Sequence, residues 1–265
     1  MATTVIRPDQ LQPNPNVGRT PYQHAAEYTA SGAGAFQTLR LCQRTAKVAN
    51  EVRHLSGQGY SPVLSDIDSK CFAGWAIMGV PRLVGMSGSV AKTVADASKP
   101  SQVPGEKQRK IEKAIRDTTE MGSLVGHLTN YVARTKVFAP VANTLDLISD
   151  TTDLKIAATD LRCAVKMAKQ ADREEAVAQV KKNVQQTKAH AMIRVAKAVC
   201  AVISGILGVS LMLLGGPIVP AIILIGLSLA STVLSIYAHF YKETRPFKMI
   251  DFFENRQVRP LPARA

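Results

Sequence analysis

From just after Lys197 to just before Lys242 the chain runs for 44 residues without an Asp, Glu, Lys or Arg. An α-helix needs about 20 apolar residues to cross a ~30 Å hydrocarbon core, so this run is about twice the length of one crossing. Gly215, Gly216, Pro217 and Pro220 divide it into two lobes, 198–214 and 218–238. Glycine accepts the left-handed conformation that ends a helix. Proline opens the next one, where its missing N–H costs little. The pattern predicts two membrane-spanning helices folded back on each other through that turn. Ser204 and Gly208 in the first lobe, and Gly226 and Ala230 in the second, have the i,i+4 spacing of small residues that lets membrane helices pack closely. The alternative is a buried hairpin in a soluble core, although helices that are apolar on every face are uncommon there.

Outside this run the periods are also helical. Residues 1–34 are rich in Pro, Asn, Gln, Thr, Ala and Gly and are expected to be disordered, having too few large apolar side chains to offset ordering. From 35 to 56, Leu41, Val48, Val52 and Leu55 recur at helical spacing, and 56–62 is a turn. The apolar stretch 71–90 is cut by Pro81 and Arg82 and reads as helix–turn–helix. A linker at 98–108 precedes a helix over 107–138 marked by Ile111, Ile115, Leu124, Leu128 and Val132. From 142 to 197 there is neither Pro nor Gly, which predicts one long helix. It carries two seams, Ala158/Leu161/Val165/Ala168 and Val177/Val180/Val184/Thr187/Ala191, separated by a stutter at 172–175. The second seam, with Val177, Val180 and Val184 at its head, is either a partner surface or intradomain packing. No strand pattern competes. The expected fold is all-α, with a helical domain at 35–190, a two-helix transmembrane hairpin at 191–241 and a basic tail at 242–265.

Charge orients this arrangement. The chain carries a net charge of +13. Lys181, Lys182, Lys188, Arg194 and Lys197 precede the apolar run, and Lys242, Arg245, Lys248, Arg256, Arg259 and Arg264 follow it. Both termini are therefore expected in the cytosol, with only the turn across the membrane. An anionic lipid surface accounts for much of the basicity, so no nucleic-acid partner is expected. MATTVIRPDQLQPNPN lacks the apolar core of a secretory signal, and no N-x-[ST] acceptor occurs. Cys42, Cys71, Cys163 and Cys200 lie far apart and are expected to be reduced thiols. No phosphate-binding loop, dinucleotide fingerprint, zinc-protease or nucleophile-elbow motif is present, and His24, His54, His127, His190 and His239 have no metal-ligand spacing. The expectation is a non-enzyme without cofactor or metal. His239 with Tyr237, Phe240 and Tyr241 reads as an interfacial belt.

A bilobed hydrophobic hairpin split by GGPIVP, together with a Pro/Asn/Thr-rich N-terminus, resembles the inclusion membrane proteins of chlamydiae. That resemblance covers residues 195–241 and the character of 1–30. It implies export by type III secretion, insertion into the host-derived vacuole membrane and both ends in the host cytosol, where a host protein or membrane is recruited. Here the soluble domain precedes the hairpin, whereas many members carry theirs after it. In the tail, Asp251, Phe252, Phe253 and Glu254 resemble the FFAT motif that binds the endoplasmic-reticulum receptor VAP, although the residues before them are basic. The alternative for the tail is an amphipathic turn whose Phe side chains dip into the membrane interface. Arg259-Pro260-Leu261-Pro262 matches half of an SH3 ligand. Homo-oligomers through the hairpin or the long helix, a membrane-remodelling or permeabilising activity, and an ordinary bacterial two-span inner-membrane protein are the remaining alternatives.

Overall fold

The computed structural model describes residues 11–100, 105–173, 176–214 and 221–252. Its named elements are all helical: α1 (Pro21–Ala30), α2 (Gly32–Leu55), α3 (Pro62–Ser98), α4 (Glu106–Val132), α5 (Ala139–Arg173), α6 (Ala178–Leu214) and α7 (Ala221–Glu243). From α2 onward each helix packs on the next, and α7 packs back on α2. The six longest helices thus form a closed ring, with α1 resting on α2.

Two apolar clusters hold the ring. Phe36, Trp75, Ala76, Leu124 and Leu128 join α2, α3 and α4, and Met167, Ala168, Val180, Val184 and Ile250 join α5, α6 and the segment after α7. Close approach depends on glycine at a few points. A Cβ on Gly126 of α4 would stand 2.9 Å from Ala142 Cβ, and one on Gly79 of α3 would stand 3.0 Å from Leu128 Cδ2.

The single helix expected over 142–197 is corrected to two. α5 ends at Arg173 and α6 begins at Ala178, and the chain folds back so that the two helices pack on each other. A seam of Ala and Val buries little alone, but two such seams brought face to face form a core. α3 runs continuously through Pro81, where a break was expected. The carbonyl deprived of its bond belongs to Ile77, a residue 68% exposed and so on the outer side of the helix. Trp75, Ala76 and Gly79 on one side and Val90 on the other are buried and keep the axis.

The N-terminal segment is also more ordered than its composition predicts. Residues 1–10 lie outside the described residues, but α1 starts in a capping box in which Thr20 and Gln23 satisfy each other's backbone N–H. Asn14 donates to the carbonyls of Lys242, Glu243 and Arg245 at 2.8–3.1 Å, capping the open end of α7. On α2, Val52 and Leu55 face outward, and Phe36 and Ala46 are the buried positions. On α4 the inner face is Leu124 and Leu128, with Ile111, Ile115 and Val132 exposed.

Candidate functional site: an apolar hairpin closing a charged cavity

α6 and α7 are each long and apolar enough to cross a membrane. They run antiparallel: Ser204 Oγ donates to Leu224 O at 3.4 Å, and His190 stacks on Tyr241 at the other end with centroids 6.4 Å apart. Arg245 lies over the Tyr241 ring at 4.1 Å, and Arg194 and Lys197 of α6 line one cleft with Lys242 of α7, so the cationic flanks of both helices meet at one end. Outward residues are apolar, with Ile203, Ile206, Ile223 and Val233 exposed. Inward residues are small or hydroxylic, with Ser204, Gly205, Gly208, Ser228, Thr232 and Ser235 lining the ring's interior.

That interior is a cavity of about 700 Å³ walled by all six helices of the ring. Asp153 of α5 forms its floor, within 3.5 Å of Arg116, 3.3 Å of Arg194 and 3.2 Å of Lys197. Burial alone would raise the Asp153 pKa, but Lys197, Arg194 and Arg116 outweigh it and pull the carboxyl down to about 2. Below this floor, Arg109 holds both oxygens of Asp160 at 2.6 Å, and Arg194 adds a contact to Asp160 at 2.8 Å. One turn above Asp153, Asp150 is pushed up to about 6, by burial first and by the neighbouring Asp146 charge second. Asp146 accepts from Ser123 at 2.6 Å and pairs with His127 at 3.0 Å. Arg40 and Arg44 project from α2 into the same space, and Arg44 donates to Ser228 O at 2.5 Å and to the Thr232 hydroxyl. Burial and then the Arg40 charge lower the Arg44 pKa to about 9, which leaves it charged at neutral pH.

The residues singled out from sequence divide three ways. Gly215, Gly216, Pro217, Pro220, Phe253 and Glu254 lie outside the described residues. Ser204 and Gly208 sit at the α6–α7 contact, whereas a Cβ on Gly226 would meet nothing within 4 Å among the described residues, and Ala230 is half-buried. The close-approach glycine is Gly205, whose Cβ would stand 3.1 Å from Leu147 Cδ1 of α5. The partner seam is corrected: Val180 and Val184 are 2% and 1% exposed in the α5–α6 core, and only Val177, at 54%, is on the surface. Phe252 packs against that same cluster and Asp251 is half-buried, so part of the FFAT-like segment is engaged within the chain. The aromatic belt is a cluster in which Tyr28 of α1 meets His239 and Phe240 at 4.5 and 5.4 Å. The charged axis escaped sequence reading. Its signal was the i,i+4 pair Arg40/Arg44 and the i,i+4,i+7 row Asp146/Asp150/Asp153, which put charge on an inward helix face.

Comparison with protein-family models, curated proteins and solved structures gives no match. All-helical architecture with two candidate membrane helices is therefore what defines the class.

Proposed function

We propose that the protein is a non-enzymatic, membrane-anchored docking protein of the inclusion-membrane type. Its α6–α7 hairpin holds it in a vacuole membrane with both termini cytosolic, and its remaining helices recruit a host protein. The observation that carries this reading is the antiparallel hairpin, apolar outward, with Arg194, Lys197, Lys242 and Arg245 gathered at one end. Those cations suit an anionic leaflet. The closed ring is the form away from lipid. If the intact ring followed the hairpin into a bilayer, it would carry Lys47, Asp68 and Arg44, which lie beside Leu224 and Ile225 or pair with groups that do, into hydrocarbon. Each such charge costs about 2.5–3.5 kcal/mol at the membrane centre. Insertion therefore parts α7 and the uncharged stretch of α6 from α2 and α5, while the start of α6, with Val180 and Val184, stays packed on α5. With Val180 and Val184 committed internally, recruitment runs through the exposed α3 stripe Ile77, Val80 and Val84.

Immunolabelling of infected cells with carbonate extraction tests this reading. Label on the vacuole membrane that resists extraction is expected. Label confined to the bacterial envelope would overturn the host-facing assignment, and release by carbonate would overturn the anchor. A second reading, membrane permeabilisation, is favoured by the polar lining of a ring whose two outer staves are apolar. Dye leakage from liposomes at micromolar protein would select it.

A further inference from the structure

We propose that the ring's cavity binds an anionic amphiphile, a molecule with one phosphate or carboxylate head on an apolar chain, with the head held between Arg40 and Arg44. Charge pairing inside the cavity points there. Arg82 pairs with Glu120 at 2.5 Å, Arg116 with Asp117 at 2.7 Å and Lys197 with Asp153 at 3.2 Å. Arg40 and Arg44 stand one turn apart on α2 and form no ion pair among the described residues. Two like charges side by side with no carboxylate within pairing distance leave a place for one anion.

The neighbouring carboxylates do not fill it. Asp146 is taken by Ser123 and His127, and Asp150 makes no ion pair among the described residues. A third donor stands at the same place. Trp75 is buried, its indole N–H has no acceptor among the described residues, and it lines the opening between α2, α3 and α7 together with Arg40 and Arg44. The unpaired indole N–H of Trp75, beside two guanidinium groups that pair with no carboxylate among the described residues, selects an anion. The rest of that opening, about 240 Å³, has Phe72, Leu224 and Ile225 as its apolar wall and Gln43, Lys47, His127 and Ser228 as its polar one, and it shares Arg40 and Arg44 with the main cavity. A space of about 700 Å³ is far larger than a bare phosphate needs and matches small organic ligands, with the apolar wall taking the chain. This inference rests on the closed ring, the form the protein takes before its hairpin enters a membrane.

Trp75, the one tryptophan in the chain, reports directly, because Arg40 lies 5.6 Å from its ring. The full chain in detergent-free buffer is titrated with 1-oleoyl lysophosphatidate, oleate, monoolein and inorganic phosphate while Trp75 fluorescence is followed. Saturable one-to-one binding of lysophosphatidate or oleate is expected, at least tenfold tighter than monoolein or phosphate. Preference between the two amphiphiles tells a lipid phosphate from a free fatty acid as the source. Monoolein binding as tightly would overturn the anion site, and phosphate binding as tightly would overturn the apolar chain. Arg40→Gln with Arg44→Gln is expected to weaken binding at least tenfold with helical circular dichroism retained; unchanged affinity sinks the proposal. Should that double variant not fold, Asp150→Asn decides. Removing a negative charge that acts on Arg40 is expected to tighten lysophosphatidate binding, and unchanged or weaker binding would overturn the site.

Discussion

Replacing Asp153 by Asn removes one charge from the point where α4, α5 and α6 meet. The carboxylate is 12% exposed and is shared by Arg116, Arg194 and Lys197. Its pKa falls from 3.8 to about 2 in the folded chain. Roughly two units at 1.36 kcal/mol each correspond to about 2–3 kcal/mol of stability at neutral pH. Structure explains why the loss stays below the ~3–5 kcal/mol typical of a broken buried pair. Arg116 keeps Asp117 and Arg194 keeps Asp160, so only Lys197 is stranded, and at 31% exposure it can reach water. For a chain of this size that loss lowers Tm by about 5–10 °C. The pH dependence gives a second check. A carboxyl with a depressed folded pKa contributes above its unfolded value of 3.8 and loses that contribution as pH falls toward 2. Melting of wild type and D153N is followed by circular dichroism in detergent at pH 7 and near pH 2. A gap of several degrees at pH 7 that closes near pH 2 is expected. Equal melting at pH 7, or a gap unchanged near pH 2, would refute the network as a source of stability.

Val184→Asp buries an unpaired carboxylate in the α5–α6 seam and is expected to abolish the cooperative melt, whereas Val177→Asp, on an exposed residue, changes stability by less than about 0.5 kcal/mol. Gly126→Val forces α4 away from Ala142 and is expected to cost about 1–3 kcal/mol, while Gly88→Ala, in open space within α3, adds about 0.5–1 kcal/mol; chemical denaturation reads both. A Cβ on Gly205 would stand 3.6 Å from Leu147 Cβ, within disulfide reach, so Gly205→Cys with Leu147→Cys locks α6 to α5 when oxidised. In a chain with Cys42, Cys71, Cys163 and Cys200 replaced by Ala, liposome flotation is expected only after reduction, and equal flotation when oxidised would contradict opening of the ring.

Helicity and the hairpin were legible because uncharged length and helical period are local properties. What the helices face was less so. The stutter at 172–175 was visible, but whether a stutter bends or reverses a chain depends on what each seam meets; here Met167 and Ala168 meet Val180 and Val184. Pro81 suggested a break by its own chemistry, and packing by Trp75 and Gly79 overrode it. The charged axis was hidden because inward-facing Arg40, Arg44 and Asp153 carry the same residue types as a solvated face. Only closure of the ring between α7 and α2 gives them an inside. Asn14 as a cap for α7 joins residues more than 200 positions apart, and no local pattern encodes it.

Thiol accessibility across a bilayer tests the central claim most directly. In the full chain with its four native cysteines replaced by Ala, single cysteines are placed at Gln185, Gly216 and Gln257, and the protein is inserted into its membrane. Impermeant maleimide applied from the cytosolic side is expected to label Gln185→Cys and Gln257→Cys and to leave Gly216→Cys unlabelled until the opposite face is opened. Labelling of Gln185→Cys and Gln257→Cys from opposite faces would mean a single crossing, and labelling of all three from one face would mean that the hairpin does not cross.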